Sequence, residues 1–171
     1  MRLFILGFMG CGKSYSGRRL AEKFNIDFID LDQYIEEKEK RSIKAIFEKE
    51  GEDYFRRVEK QCLHEMKNKA MAVIAVGGGT PCFFDNMKWM NKMGITVFLE
   101  TSVQVLASRL EKAMAGRPLL KGFSKKELVN FIEKKLEERK PFYEQCQILY
   151  QQKEEGQDVA EDLRKYFHRI I

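Results

Sequence analysis

Apolar residues along the chain gather in short, nearly continuous runs, separated by longer stretches in which they recur every three or four positions. The runs at residues 2–6, 26–31, 71–76, 95–100 and, more weakly, 147–150 predict five strands. Their unbroken apolarity is that of strands covered on both faces. Helical spacing appears in residues 52–67, through Phe55, Val58, Leu63 and Met66, and in 157–170, through Val159, Leu163, Phe167 and Ile170. Ser124-Lys125-Lys126-Glu127 reads as a capping box opening a helix toward Lys140, with Pro141 expected to end or kink it. The alternation predicts an α/β domain with a mainly parallel sheet and helices on both faces. Two segments break it. Residues 33–67 are helical throughout and read as an insertion, while residues 113–123 are polar and aperiodic and read as a mobile loop.

With 171 residues and 44% apolar composition, the chain predicts a single domain, 1–171, with an adequate core. The formal charge of +5 is a modest excess on a highly charged surface and suits anionic small molecules as well as nucleic acid. Cys11, Cys62, Cys82 and Cys146 form no CxxC pair, and His64 and His168 lie far apart, so neither a metal finger nor a disulfide framework is expected. Free thiols predict a reducing, cytoplasmic setting. The apolar run after Met1-Arg2 is too short for a signal peptide, and no run reaches membrane-spanning length.

Gly7-Phe8-Met9-Gly10-Cys11-Gly12-Lys13-Ser14 matches G-x-x-x-x-G-K-[ST] between a strand and a helix, the context a phosphate-binding loop requires. Its backbone N–H groups turn toward phosphates, Lys13 reaches the outer ones, and Ser14 can ligate magnesium. Gly10, Cys11, Gly12, Lys13, Ser14 and Tyr15 are therefore candidate nucleotide contacts, with ATP and Mg2+ the expected cofactors. Asp30 and Asp32 end the second strand; an extended chain would project both to one face, near the loop if the first two strands lie close together. One can hold the metal and the other accept a hydroxyl proton. The third strand carries no acid, which favours Asp30 for the metal, and Gly77-Gly78-Gly79 allows close backbone approach to a ligand.

Arg56, Arg109, Arg117 and Arg139 stand out by their neighbours: Gly51-Glu52 with Phe55-Arg56 and Glu59, Arg117-Pro118-Leu119-Leu120, and Arg139 before Pro141 and Tyr143. Together with the loop, Asp30-x-Asp32 and the triple glycine, in this order and spacing, the sequence resembles the shikimate kinases from Leu3 to about Tyr143.

The resemblance implies a P-loop kinase of the nucleoside monophosphate kinase type. It carries a five-stranded parallel sheet, a substrate-binding insertion (33–67) and a lid (113–123), and phosphorylates a shikimate hydroxyl at the expense of ATP. It implies that Arg56, Arg139, Gly78 and Gly79 hold the acceptor and that Asp32 contacts the reacting hydroxyl. Arg117 enters from the lid, Arg109 stacks on adenine, and magnesium sits on Ser14 with Asp30 in its outer shell. Lys13, Asp32 and Arg117 are the catalytic candidates. A monomer is expected, with no nucleic-acid or membrane partner. Tyr15 and Thr80-Pro81 depart from the residues more usual at their positions. The scaffold alone also admits another small-metabolite or nucleoside monophosphate kinase, or a nucleotide-dependent switch or RNA-associated ATPase; Asp30-x-Asp32 and the arginines favour a hydroxylated carboxylic acid.

Overall fold

The computed structural model describes residues 1–113, 122–152 and 156–168. Five parallel strands, β1 (Arg2–Leu6), β2 (Asp27–Asp30), β3 (Ala72–Ala75), β4 (Ile95–Thr101) and β5 (Ile148–Gln152), pair in the order β2-β3-β1-β4-β5. Between them run α1 (Lys13–Phe24), α2 (Leu31–Glu39), α3 (Ile43–Glu65), α4 (Asn86–Met93), α5 (Val103–Lys112) and α6 (Lys125–Tyr143), and α7 (Val159–His168) follows β5.

The side chains of β1 alternate between two cores, as the pleat demands. Leu3 and Ile5 pack with Leu20 of α1, Leu106 and Leu110 of α5, Ile132 of α6 and Phe167 of α7. Phe4 and Leu6 pack with Leu31 and Ile35 of α2, Phe55 and Leu63 of α3, and Met90 of α4. Leu3, Phe4, Ile5 and Leu6 are all fully buried, so apolar residues on both faces explain the continuous run seen in the sequence.

Register sets the functional edge. Ile5 lies opposite Ala75, and Ala75 opposite Asp30, so the chain leaves β1, β3 and β2 at one level. The loops that begin at Gly7 and Val76 and the start of α2 at Leu31 therefore share one rim, where open α/β sheets bind ligands.

Three sequence expectations change. First, β3 separates β1 from β2, so the first two strands are not neighbours. Second, the chain is not extended through Asp32: α2 begins at Leu31 and Asp30 is its N-cap. An aspartate followed three residues later by Gln33 is an N-terminal signature that outweighs continuation of the strand. Third, Pro141 lies inside α6, which runs on to Tyr143. The missing N–H falls in the last turn and deprives only the exposed Glu137 of a partner. Tyr143 is fully buried against Phe98, which holds the final turn helical.

Segment 33–67 is helical as read, but α3 begins at Ile43 and is broken at Gly51, whose φ of 81° only glycine adopts easily. Most of 113–123, including Arg117, lies outside the described residues, as does Ile170. Among the described residues no helix is long and apolar enough to cross a membrane.

Candidate active site

The loop from β1 to α1 turns on three positive-φ glycines, Gly7 (141°), Gly10 (84°) and Gly12 (97°). Gly12 caps α1 without any side-chain hydrogen bond, and the first turn of α1 holds no acid, so its N–H groups and positive dipole end are left for an external anion. The Lys13 ammonium donates to the Gly7 and Phe8 carbonyls at 2.9 and 3.1 Å, folded over the loop it would share with phosphates.

Ser14 and Asp30 meet directly: the serine hydroxyl donates to Asp30 Oδ2 at 2.5 Å. Asp30 Oδ1 accepts from the backbone N–H groups of Asp32 and Gln33 at 3.1 and 3.4 Å, so its cap role fixes its orientation. A cleft of about 310 Å³ brings Lys13, Ser14, Asp30, Asp32 and Gly78 together. Hydroxyl and carboxylate oxygens at its floor fit magnesium, which takes one or two protein ligands plus phosphate oxygens. Burial pushes the Asp32 carboxyl up to about 6, the negative charges of Asp30 and Glu59 push the same way, and Lys13 opposes them.

Arg56 and Arg139 converge on the triple glycine from different helices. A Cβ at Gly79 would lie 2.7 Å from Arg56 Nη2, and one at Gly78 would lie 3.1 Å from Arg139 Nη1. Arg56 donates to Glu59 Oε2 at 2.8 Å and to Glu52 Oε1 at 3.1 Å, and its guanidinium stacks 4.0 Å from the Phe83 ring centroid. Both arginines act on the Cys82 thiol, drawing it down, although burial dominates and raises it to about 11. Arg57, in contrast, is exposed and faces a shallow surface hollow with His64 and Phe84. Arg56 is thus the arginine turned toward the glycines.

On the opposite flank of the loop, Arg109 Nη1 donates to the Gly10 and Cys11 carbonyls, both at 3.3 Å. It borders a second cleft, of about 360 Å³, shared with Tyr15, Arg19 and Gln152. Tyr15 is 68% exposed, and its hydroxyl accepts from Arg19 at 3.0 Å.

A family model described as shikimate kinase matches residues 9–170. The chain belongs to the shikimate kinase family. A shikimate kinase of Bacteroides fragilis is 47% identical over 150 residues, covering 88% of this chain and 84% of that protein. The crystal structure of the Bacteroides thetaiotaomicron shikimate kinase superposes with a TM-score of 0.92 at 40% identity, covering 98% of each chain. The solved structure of the Acinetobacter baumannii shikimate kinase in complex with shikimate gives 0.83 at 33% identity, covering 99% of this chain and 91% of that one.

In this shikimate kinase family member two further motif residues, Glu59 and Tyr143, support the site. Glu59 is a buried carboxylate, 1% exposed, that sits between Arg56 and Thr80 and adds to the field on Asp32. Tyr143 donates its hydroxyl to the Gly78 carbonyl at 2.5 Å and so pins the glycine turn to α6. The available signal was helical spacing: Glu59 lies three residues after Arg56, on the same face of α3. Nothing local in the sequence pairs Tyr143 with Gly78, which are 65 positions apart.

Proposed function

We propose that this chain transfers the γ-phosphoryl group of ATP to the 3-hydroxyl of shikimate, forming shikimate 3-phosphate for chorismate and aromatic amino acid biosynthesis, as a cytoplasmic monomer. The carrying observation is the convergence of Arg56 and Arg139 on Gly78 and Gly79, beside a carboxyl raised to about 6 and a phosphate-binding loop. Two permanently charged planar forks match the acceptor carboxylate. The backbone at Gly78 and Gly79 is bare enough to approach its hydroxyls.

Asp32, ionised at neutral pH, accepts the proton of the attacking hydroxyl; a base poised near 6 is mostly ionised at pH 7 yet keeps useful proton affinity. Lys13 exchanges the Gly7 and Phe8 carbonyls for the outer phosphates and follows the migrating charge. Ser14 and Asp30 would hold magnesium, which would supply charge neutralisation on the phosphate oxygens. Cys11, Gly12 and Tyr15 border the nucleotide, and Arg109 lies where it can cover the adenine. We assign residues 33–67 as the acceptor-binding insertion and 113–123, with Arg117, as the lid that excludes water and adds charge at the phosphates.

A coupled ADP-release assay with shikimate, gluconate and nucleoside monophosphates tests this reading. ADP should form at a substantial rate with shikimate alone. Comparable turnover with a nucleoside monophosphate or gluconate overturns the acceptor, and ADP release needing no acceptor makes the chain an ATPase.

A further inference from the structure

Thr80 follows the triple glycine directly. It is completely buried, and its hydroxyl donates to Glu59 Oε1 at 2.6 Å. The other oxygen of that carboxylate takes the Arg56 Nη1 hydrogen bond at 2.8 Å. The threonine backbone is itself held. Its N–H donates to the Gly77 carbonyl at 3.1 Å, and its carbonyl accepts from the side-chain amide of Asn86, also fully buried, at 2.9 Å. A hydrogen-bonded line thus runs from the start of α4 through Thr80 and Glu59 to Arg56.

A buried carboxylate must have its lone pairs satisfied, and one with a single partner is free to turn about its terminal torsion. Glu59 sits within reach of two demands, the Arg56 guanidinium and the space around Asp32. A Cβ at Gly77 would lie 2.9 Å from Asp32 Oδ1, 2.9 Å from Thr80 Oγ1 and 3.1 Å from Glu59 Oε1, so these three oxygens surround the space a side chain would take there. The hydroxyl occupies the oxygen of Glu59 that lies beside Gly77 and leaves the other to Arg56. We propose that Thr80 is a positioning residue of the acceptor site, whose hydroxyl fixes the Glu59 carboxylate and through it the orientation of the Arg56 guanidinium. This rests on the reading of Arg56 as an acceptor-carboxylate ligand.

The test is a set of steady-state measurements on Thr80→Val, Thr80→Ser, Arg56→Ala and the double variant T80V/R56A, with shikimate and ATP varied in turn. Valine keeps the branched shape and removes the donor. It should raise the shikimate KM about tenfold, in line with one charge-assisted hydrogen bond. The ATP KM should stay within about twofold of wild type, and serine should restore most of the loss. In the R56A background the valine change should have little further effect on the shikimate KM, because the arginine through which it acts is gone. A T80V shikimate KM within about twofold of wild type overturns the proposal, as does an equal penalty with and without Arg56. If T80V does not fold, Thr80→Ala carries the same thresholds. An R56A variant with unchanged shikimate KM sinks the reading of Arg56 and this proposal together, whereas a damaged R56A beside an intact T80V sinks the proposal alone.

Discussion

Replacing Asp32 with Asn removes one charge and almost no volume from the centre of the site. The carboxyl stands at about 6 in the folded chain against an ordinary value of 3.8, with burial the largest cause and Asp30 and Glu59 adding to it. Its place in the first turn of α2 favours the anion by only ~0.3–1 kcal/mol, which those effects outweigh. The folded state therefore holds the Asp32 proton more tightly than the unfolded chain does. Wild-type stability should fall as pH rises from below 3.8 through about 6 and level off above, where the ionised carboxylate is held at a cost. Two pH units correspond to ~3 kcal/mol at most, and partial solvent access trims this to about 2 kcal/mol.

Asp32→Asn should accordingly be more stable than wild type at pH 7.5 by about 2 kcal/mol, or roughly 4–8 °C in Tm for a chain of this length. Most of that gain should vanish by about pH 4.5, where the wild-type carboxyl is protonated. In the same variant kcat should drop by roughly 10²–10⁴, because the amide cannot take the hydroxyl proton, while nucleotide affinity is nearly unchanged. Urea and thermal unfolding at both pH values, with calorimetric ATP titration, check each part. A variant no more stable than wild type at pH 7.5, or a stability gap independent of pH, refutes the raised carboxyl and with it the argument for a poised base.

Lys13→Ala should cost at least ~100-fold in kcat with the fold intact, since one lost transition-state contact of ~2.7 kcal/mol already amounts to that; retention of a tenth of wild-type turnover contradicts the role. Arg56→Ala and Arg139→Ala should each raise the shikimate KM roughly 10- to 100-fold at unchanged ATP KM, and each should discriminate less than wild type between shikimate and its carboxamide analogue. Gly79→Ala places a methyl 2.7 Å from Arg56 Nη2 without backbone strain, so the guanidinium must move; the shikimate KM should rise about tenfold while Tm changes little, and an unchanged KM would show that Arg56 need not sit there.

Much of this architecture is legible in the chain because local chemistry decides it. The five apolar runs appear as strands within one or two residues at most ends, and the phosphate-binding loop sits where its strand-to-helix context requires. Asp30 shows where a correct element was given the wrong end. Two acids at period two suggested an extended chain, yet Asp30 and Gln33 at cap spacing encode a helix start, and capping satisfies N–H groups that a continued strand would leave open. Strand order is another matter: that β3 lies between β1 and β2 depends on which helix faces can be buried together, a property of the assembled layers. At Pro141 backbone preference points to the end of the helix, and the burial of Tyr143 two residues later overrides it.

The two arginines at the glycine turn are not equivalent, and their surroundings rank them. Arg56 is held by Glu59, 1% exposed, and by Glu52, 54% exposed, so its local cluster is net negative before any acceptor arrives. Its part is geometric: Nη1 donates to Glu59 while Nε and Nη2 donate to Glu52, and these contacts hold Nη2 beside the turn. Arg139 forms no ion pair with a carboxylate among the described residues, and it lies beside Gly78 with its guanidinium 5.5 Å from the Phe8 ring. An unneutralised guanidinium gains more from an incoming carboxylate than one already paired, because no competing ion pair must be weakened. Losing Arg139 should therefore raise the shikimate KM more than losing Arg56. The carboxamide analogue should show the same order, its disadvantage relative to shikimate shrinking more in Arg139→Ala than in Arg56→Ala. The reverse order would mean that Glu52 and Glu59 release Arg56 when the acceptor binds, and that the positive field of the site comes from α3.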